Sequence, residues 1–234
     1  MMLDNLKTEL QKSANIEKAK ILQGFFKTGK GEYAEGDIFL GVTVPETRKI
    51  AKKYAELPFE DITELLKSKI HEERLTALLL IIEKYKKSDN TEKENIIKFY
   101  LNNTKYINNW DLVDLSAHQL LGSFIENKDK SIIFKLAKSE NLWKRRIAII
   151  ATYHFIKNRH YELTFKIAEI LLEDKHDLIQ KAVGWMLREV GKREQNAEED
   201  FLKQHYKKMP RTMLRYSIER FDTKKRNNYL KGKI

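Results

Sequence analysis

Apolar residues recur every three to four positions along most of this sequence, with charged and polar residues between them. This period is typical of amphipathic helices. Strand-like alternation and Asn-Gly hairpin turns are missing, so the pattern predicts an all-α protein. The long helical segments are "HEERLTALLLIIEKYKK" (71–87), "WDLVDLSAHQLLGSFIE" (110–126), "LWKRRIAIIATYHFIK" (142–157), "LIQKAVGWMLREVGKR" (178–193) and "MLRYSIERFD" (213–222), with shorter ones such as "KENIIKFYLNN" and "YELTFKIAEILLE" between them.

The long segments also keep a regular interval. Arg74, Trp110, Arg146, Lys181 and Arg215 are spaced 36, 36, 35 and 34 residues apart. Helix pairs recurring at about this interval indicate a stacked α-solenoid of the HEAT or armadillo kind, although the interval is slightly short for the type. Such a stack curves, so one helix of every pair is expected to line a concave groove.

The domain prediction follows from this stacking. We expect a single HEAT-like repeat domain over residues 1–234, ending in a frayed basic tail at about residues 223–234. A monomer is expected, because a solenoid with polar end caps needs no partner to complete its core.

Composition narrows the class of protein. A chain of 234 residues with 41% hydrophobic content can bury a sizeable core, and only 9 glycines and 3 prolines interrupt its helices. Without cysteine there is no disulfide framework and no thiolate chemistry, which fits a cytoplasmic protein. No apolar run approaches the length of a membrane span, and the first residues lack the apolar core of a signal peptide.

The charge points to a class of partner. Lys and Arg exceed Asp and Glu by 11, and seven of these excess charges lie in residues 192–234. An isoelectric point near 9.5 suggests a polyanionic partner, of which nucleic acid is the commonest. The alternative is a lysine-rich surface that is simply solvated.

In the segment 178–193, Trp185 lies on the side of the helix away from the apolar residues. The core stripe of this segment is formed by Ile179, Val183, Met186, Leu187 and Val190. At about 100° per residue, Trp185 points roughly 150° away from that stripe. On the same far side lie Lys181, Arg188 and Lys192. Packing of Trp185 on an adjacent repeat is the simpler explanation for a lone tryptophan.

Trp110 and Asp114 are four residues apart, so they lie on one face of a helix. They flank an apolar stripe formed by Val113, Ala117, Leu120, Leu121 and Phe124. Asp114 should therefore be partly buried. The usual role of such a carboxylate is a hydrogen bond at a helix end or between helices, and Arg145 and Arg146 can likewise be plain solvated charges.

Considered together, these residues favour a common surface. Corresponding positions of successive repeats supply Trp110 with Asp114, then Arg146, then Lys181 with Trp185. In a solenoid they would line up along the concave groove. Aromatic surfaces, fixed cations and one acid suit a nucleic-acid backbone that carries a cationic group in its middle.

Two other kinds of site are disfavoured. "GFFKTGKG" (24–31) matches the start of a phosphate-binding loop, but Gly31 stands where Ser or Thr should bind magnesium. The residues before it also read as a helix rather than a strand, so a glycine-rich turn between the first helices is the better interpretation. The six histidines are scattered, and His118 has no second ligand at a useful spacing, so we expect no metal site and no cofactor.

Four blocks of the sequence stand out when they are read in order. They are "FFKTGKGEYAEGDIFLGVTVPETRKIAKKY" (25–54), "WDLVDLSAHQLLG", "LWKRRIAIIATYHFI" and "KAVGWMLREVGK". Together they closely resemble the DNA alkylation repair family of the AlkD type. The resemblance covers roughly residues 15 to 222 and implies a HEAT-like solenoid that acts as a DNA glycosylase.

The resemblance also implies site residues. The tryptophan and aspartate of the family's W-D-x-V-D motif fall on Trp110 and Asp114, and its W-x-x-R arginine falls on Arg146. The tryptophan of G-W-x-L-R-E falls on Trp185. Asp114, Trp110 and Trp185 are thus the expected catalytic residues. The expected DNA-binding residues are Arg146, Arg145, Lys181 and Arg188.

The implied reaction releases cationic purines alkylated at N3 or N7 from double-stranded DNA, without metal or cofactor and without flipping the base. The implied protein is cytoplasmic and associated with the nucleoid through DNA. Asp114 would stabilise the oxocarbenium-like sugar and position water. A noncatalytic DNA-binding solenoid for damaged or branched DNA is the main alternative. The hypothesis of a protein-binding scaffold has less support, because such a scaffold would not need these aligned aromatic, cationic and acidic residues.

Overall fold

Helices form nearly all regular structure in the computed structural model, which describes residues 1–234. The all-α prediction is confirmed: strand-like pairing is limited to an isolated bridge between Ile38 and Ile70. None of the helices combines the length and apolarity that crossing a bilayer would require. The chain forms two compact units, Met1–Ser116 and Ala117–Ile234. A single domain over the whole chain stays a prediction.

The first unit contains seven α-helices and one short 3-10 turn. They are α1 (Met2–Lys12), α2 (Ile16–Phe25), α3 (Val44–Lys53), α4 (Phe59–Leu66), α5 (His71–Lys87), α6 (Asn90–Asn102), the 3-10 turn Thr104–Tyr106 and α7 (Trp110–Ser116). Alternate helices pack side by side, α1 on α3, α3 on α5 and α5 on α7. This is the packing order of an α-solenoid.

The second unit has the same kind of architecture. Its elements are a π-helical segment (His118–Gly122), α8 (Ser131–Ala137), α9 (Leu142–Ala151), α10 (Tyr153–Lys157), α11 (Glu162–Ile170), α12 (Asp177–Gly191), α13 (Gln195–His205), α14 (Arg211–Ser217), the 3-10 turn Ile218–Arg220 and α15 (Thr223–Leu230). Helix α12 packs on both α9 and α14. The periodic residues of the sequence thus lie on α5, α7, α9, α12 and α14.

Three predicted helices are interrupted. In the segment 213–222, α14 ends at Ser217 and a 3-10 turn follows it. The segment 142–157 divides into α9 and α10 at Thr152. The segment 110–126 begins as α7 and continues as the π-helical segment. A π-helical turn inserts one extra residue per turn, and such turns are frequent at functional sites.

Helix α5 is buried even at its charged start, because α3, α4, α6 and α7 all pack against it. The carboxylate of Glu72 accepts hydrogen bonds from the backbone N–H groups of Leu40, Gly41 and Val42 at 3.0, 2.8 and 3.3 Å. Gly41 has a φ of +81°, and a Cβ there would lie 2.2 Å from the Asn15 carbonyl oxygen. Glu72 therefore fixes the irregular segment between α2 and α3.

Close helix packing in the second unit depends on Gly184 of α12. A Cβ at this position would lie 2.4 Å from the Met213 carbonyl oxygen and 2.6 Å from the Tyr216 Cβ. The absence of a side chain lets α12 and α14 approach closely. This contact sits directly before Trp185 in the sequence.

The C-terminal residues are helical where a frayed tail was expected from residue 223. Asp222 caps α15 by accepting a hydrogen bond from the Lys225 backbone N–H at 2.9 Å. Tyr229 is only 2% exposed and packs edge-on against Tyr206, with ring centroids 5.3 Å apart. The aromatic contact anchors α15, so the tail prediction is wrong for residues 223–230.

Candidate functional site

The first turn of α7 is set by a buried asparagine. The side-chain oxygen of Asn109, which is fully buried, accepts a hydrogen bond from the Trp110 backbone N–H at 2.8 Å. This fixes the point at which the helix begins. Trp110 and Asp114 follow one turn apart and both are half-buried, while Val113 between them is fully buried. The partial burial predicted for Asp114 is confirmed.

Trp110 contacts aromatic rings from the end of α2 and from the residue that follows it. Its ring is 5.0 Å from that of Phe26, nearly parallel, and meets the exposed Phe25 edge-on at 5.8 Å. Phe26 in turn stacks on Phe39 at 4.9 Å, and Phe39 on His71 at 4.4 Å. We refer to Trp110, Phe26, Phe39 and His71 as the aromatic column. It holds the indole of Trp110 in one orientation, and sequence reasoning missed it.

Charged groups close the buried end of the aromatic column. His71 Nε2 lies 2.7 Å from the Asp111 carboxylate, and its Nδ1 lies 3.7 Å from that of Asp37. Arg74 also pairs with Asp37, at 2.5 Å. Burial alone would lower the His71 pKa, but attraction to Asp111 and hydrogen bonds to both carboxylates raise it. The two carboxylates therefore favour the protonated form of the imidazole that lies between them.

A cavity of about 230 Å³ opens beside the aromatic column. Phe26, Phe39, His71 and Asp111 contribute to its wall, together with apolar side chains such as Ile21. Part of the surface of the column rings therefore faces the cavity and does not pack against other side chains.

In the second unit, Trp185 on α12 is half-buried and oriented by a carboxylate. Its indole N–H donates a hydrogen bond to Glu189 Oε1 at 3.2 Å. Glu189 also pairs with Lys192 at 2.5 Å and with Arg193 at 3.1 Å. Burial would raise the Glu189 pKa, but hydrogen bonds from these two cations and from Trp185 lower it. Sequence reasoning did not single out Glu189, although its i+4 spacing from Trp185 is a usable signal.

The arginines expected to bind DNA have partners within the unit. Arg146 is only 5% exposed, and its guanidinium donates to the Leu178 carbonyl at 2.5 Å, so it is not a plain solvated charge. Arg145 donates to Asp174 at 2.7 Å. Arg188 pairs with Glu219. These contacts connect α9, and the 3-10 turn after α14, to α12 and its preceding turn.

Lys181 differs from the arginines in exposure. It pairs with Asp177 one turn earlier at 2.6 Å, and about 40% of its side chain is exposed. A pair of this kind on a helix surface is weak and readily exchanged for another anion. Each unit therefore presents a half-buried, oriented indole. The first adds Asp114, and the second adds guanidinium groups fixed by the surrounding structure. No group of three or more His, Cys, Asp or Glu side chains has a metal-binding arrangement.

Comparison with known proteins gives two findings. The model of one protein family, described as DNA alkylation repair enzyme, matches residues 6–221. Among solved structures, a predicted DNA alkylation repair enzyme from Enterococcus faecalis is similar, with a TM-score of 0.68 and 18% sequence identity. The match covers 90% of this chain and 98% of that chain, and at this identity it shows a shared fold. No curated protein matches the sequence.

Proposed function

The chain belongs to the DNA alkylation repair enzyme family and so has a role in DNA repair, and we propose that it is a monofunctional DNA glycosylase. The proposed substrate is duplex DNA in which a purine carries an alkyl group at N3 or N7. The observation that carries this proposal is the pairing of an oriented indole, Trp110, with a half-buried carboxylate, Asp114, one helical turn away.

The proposed chemistry starts from the charge of the lesion. Alkylation at N3 or N7 makes the purine cationic, so it leaves as a neutral base when its bond to the sugar breaks, without needing a proton from an acid. The sugar becomes oxocarbenium-like as this bond lengthens. Water then adds to the sugar carbon and loses one proton, which leaves an abasic site. The protein must therefore stabilise positive charge on the sugar.

We assign that role to Asp114. An ionised carboxylate attracts the developing cation most strongly when it is partly withdrawn from water, as Asp114 is. The same carboxylate can accept a hydrogen bond from the attacking water and orient it. Trp110, held by the aromatic column, would add the attraction of its ring face for the same charge.

The second unit would bind the DNA strand. Trp185, oriented by Glu189, is assigned a contact with the deoxyribose of the damaged nucleotide. Arg146 is assigned a phosphate contact that fixes the register of the protein on DNA. Arg145, Lys181 and Arg188 would contribute further backbone contacts, for which a phosphate must compete with their present carboxylate partners.

Several finer features belong to the same proposal. Hydrolysis would take place on a base that remains stacked in the duplex, with a monomeric protein and without metal or cofactor. Affinity for DNA would place the protein with the nucleoid in the cytoplasm.

The test is release of free base from DNA treated with a methylating agent, separated by chromatography. Wild type should release 3-methyladenine or 7-methylguanine, and Asp114→Asn should release it at least about 100-fold more slowly. Duplex affinity should stay within a few-fold, because the loss of one negative charge does not weaken backbone contacts. Asp200→Asn, at a carboxylate 69% exposed on α13, is the matched control and should keep full activity.

Two outcomes would contradict the proposal. If wild type binds duplex DNA but releases no base, the protein is a noncatalytic reader of damaged or branched DNA. If Asp114→Asn loses affinity and activity equally, the catalytic role of Asp114 is wrong.

A further inference from the structure

Tyr153, the first residue of α10, lies beside Trp185, with ring centroids 6.2 Å apart. Two cations face the ring of Tyr153: the Lys157 amine is 5.4 Å from its centroid, and the Arg193 guanidinium carbon is 5.7 Å from it. His118 meets the same ring edge-on at 5.3 Å. The sequence analysis assigned no binding role to any of these residues. The arrangement extends the surface of Trp185 towards the end of α10.

Positive charge is in excess around this ring. Glu189 is the carboxylate that pairs with Lys192 and Arg193, and no carboxylate pairs with Lys157. Lys192 and Arg193 therefore share one acid, and Lys157 has no carboxylate partner. Like charges this close repel each other, so the arrangement is unfavourable unless an anion joins it.

Two titratable groups respond to this excess. Lys157 is exposed as a residue, yet its amine is partly shielded from water. This shielding, followed by repulsion from Arg193, lowers the Lys157 pKa. Burial, followed by repulsion from Lys157 and His154, lowers the His118 pKa to about 4. His118 is thus neutral near pH 7 and adds no further positive charge. The positive charge of Lys157 therefore has no carboxylate beside it to balance it.

We propose that Tyr153, Lys157 and Arg193 bind a backbone phosphate of the DNA strand, next to the nucleotide contacted by Trp185. The inference rests on the proposed function, and it names the group bound rather than the chemistry performed. The amine and the guanidinium would donate charge-assisted hydrogen bonds to the phosphate oxygens, and the Tyr153 hydroxyl is suited to a third. The aromatic ring would separate the sugar from the two cations.

The chain offers a matched control for Lys157. Lys207 also lies over a tyrosine ring, that of Tyr206 at 5.8 Å, in the same unit and in an exposed position. No second cation faces that ring within the same range, so the two lysines differ in the feature that defines the site. Both can be replaced by glutamine without disturbing the core.

The experiment measures the affinity of wild type, Lys157→Gln and Lys207→Gln for undamaged duplex DNA across a salt series. For Lys157→Gln we expect affinity at low salt to fall about five-fold or more. The slope of log affinity against log salt should fall by about 0.9, the value for one phosphate contact. Lys207→Gln should change neither. An unchanged slope in Lys157→Gln, or an equal change in Lys207→Gln, would overturn the site.

A second readout uses the lowered Lys157 pKa. An amine with a lowered pKa is more often unprotonated, so Lys157 should react faster than Lys207 with an amine-methylating reagent. Saturating duplex DNA should protect Lys157, whereas inorganic phosphate at millimolar concentration should not. The site for the DNA backbone is contradicted if inorganic phosphate alone protects Lys157 from methylation. It is also contradicted if duplex DNA does not protect Lys157.

Failure of this site is distinguishable from failure of the glycosylase proposal. The salt series uses undamaged duplex DNA, so its outcome does not depend on whether the protein releases a base. If Lys157→Gln behaves as expected while wild type releases no base, the phosphate site stands and the glycosylase proposal fails.

Discussion

His71 Nε2 lies 2.7 Å from the carboxylate of Asp111, the residue directly after Trp110. The same imidazole stacks on Phe39 in the aromatic column. His71 therefore connects the start of α5 to the start of α7 in two ways. The position of the Trp110 indole depends on a charged pair that the apolar pattern of the sequence does not reveal.

We expect His71→Gln to lower the free energy of unfolding by about 3 kcal/mol at pH 6, because it leaves the carboxylates of Asp111 and Asp37 without their shared cation. Urea denaturation followed by tryptophan fluorescence measures the loss. His160→Gln, at an exposed histidine, should change stability by less than about 0.5 kcal/mol.

The stability lost in His71→Gln should become smaller as pH rises. The His71 pKa is raised from 6.5, so its contribution is complete below pH 6.5 and is lost as pH rises through the folded-state value. Asp111, Asp37 and Arg74 are the charged groups that face the ring. The stability gap between wild type and His71→Gln should narrow in alkaline solution. A gap that is constant from pH 6 to alkaline pH would show that His71 is not held as a cation.

Replacing Phe26 tests the aromatic column separately from the charges. Phe26→Leu keeps an apolar side chain but removes the ring under Trp110, so the indole should lose its fixed orientation. We expect base release to slow about ten-fold while duplex affinity changes little, since misplacement of a catalytic group affects the reaction more than binding. Phe165→Leu, which removes a similar stack on Phe201 in the other unit, should leave the rate unchanged. Equal rates for wild type and Phe26→Leu would remove the column from the mechanism.

Glu198 gives a second pH-dependent prediction, in which burial favours the neutral form of a carboxyl group. Burial, reinforced by the charge of Glu199, raises the Glu198 pKa to about 9. A raised carboxyl pKa stabilises the fold fully below the ordinary value of 4.5, and this stabilisation falls as pH rises towards 9. Glu198→Gln should therefore be more stable than wild type at pH 8, by about 2 kcal/mol, and equally stable at pH 4. Glu194→Gln, at an exposed position, should show neither effect in thermal unfolding.

Because α12 and α14 pack closely at Gly184, adding even a methyl group there should destabilise the fold. Gly184→Ala should lower the free energy of unfolding by about 2 kcal/mol, because its methyl group meets backbone and Cβ atoms of α14 that cannot rotate away. Gly24→Ala is the comparison: it lies within α2 with open space around it, so it should raise stability by about 0.5 kcal/mol. If both variants are stabilised, the close approach of α12 and α14 is wrong.

Much of the fold could be predicted because helical period is a local property. The bounds of α5 match the apolar segment 71–87, and the predicted core stripe of α12 is fully buried. The break at Thr152 and the π-helical segment could not be predicted, since both keep apolar residues at helical spacing. Helix α15 was missed because Tyr229 is anchored by rings distant in sequence.

The site could be predicted only in part, because the sequence pattern shows contacts within one helix but not contacts between distant segments. Positions on one helix, such as Trp110 with Asp114, follow from spacing. The contact of Phe26 with Trp110 requires a segment to fold back across more than 80 residues, which no local pattern encodes. The burial of Arg146 is likewise set by a carbonyl group of another helix, that of Leu178.

The carboxylate of Glu72, which accepts three backbone hydrogen bonds from residues 40–42, ties an irregular segment to the start of the most buried helix. Loop amides normally exchange their hydrogens with solvent within seconds, whereas amides in such bonds exchange only when the surrounding structure opens. These three amides should therefore exchange with deuterium as slowly as those of α5. The segment that carries Phe39 then belongs to the same cooperative unit as the helix, and it opens only when the first unit itself unfolds.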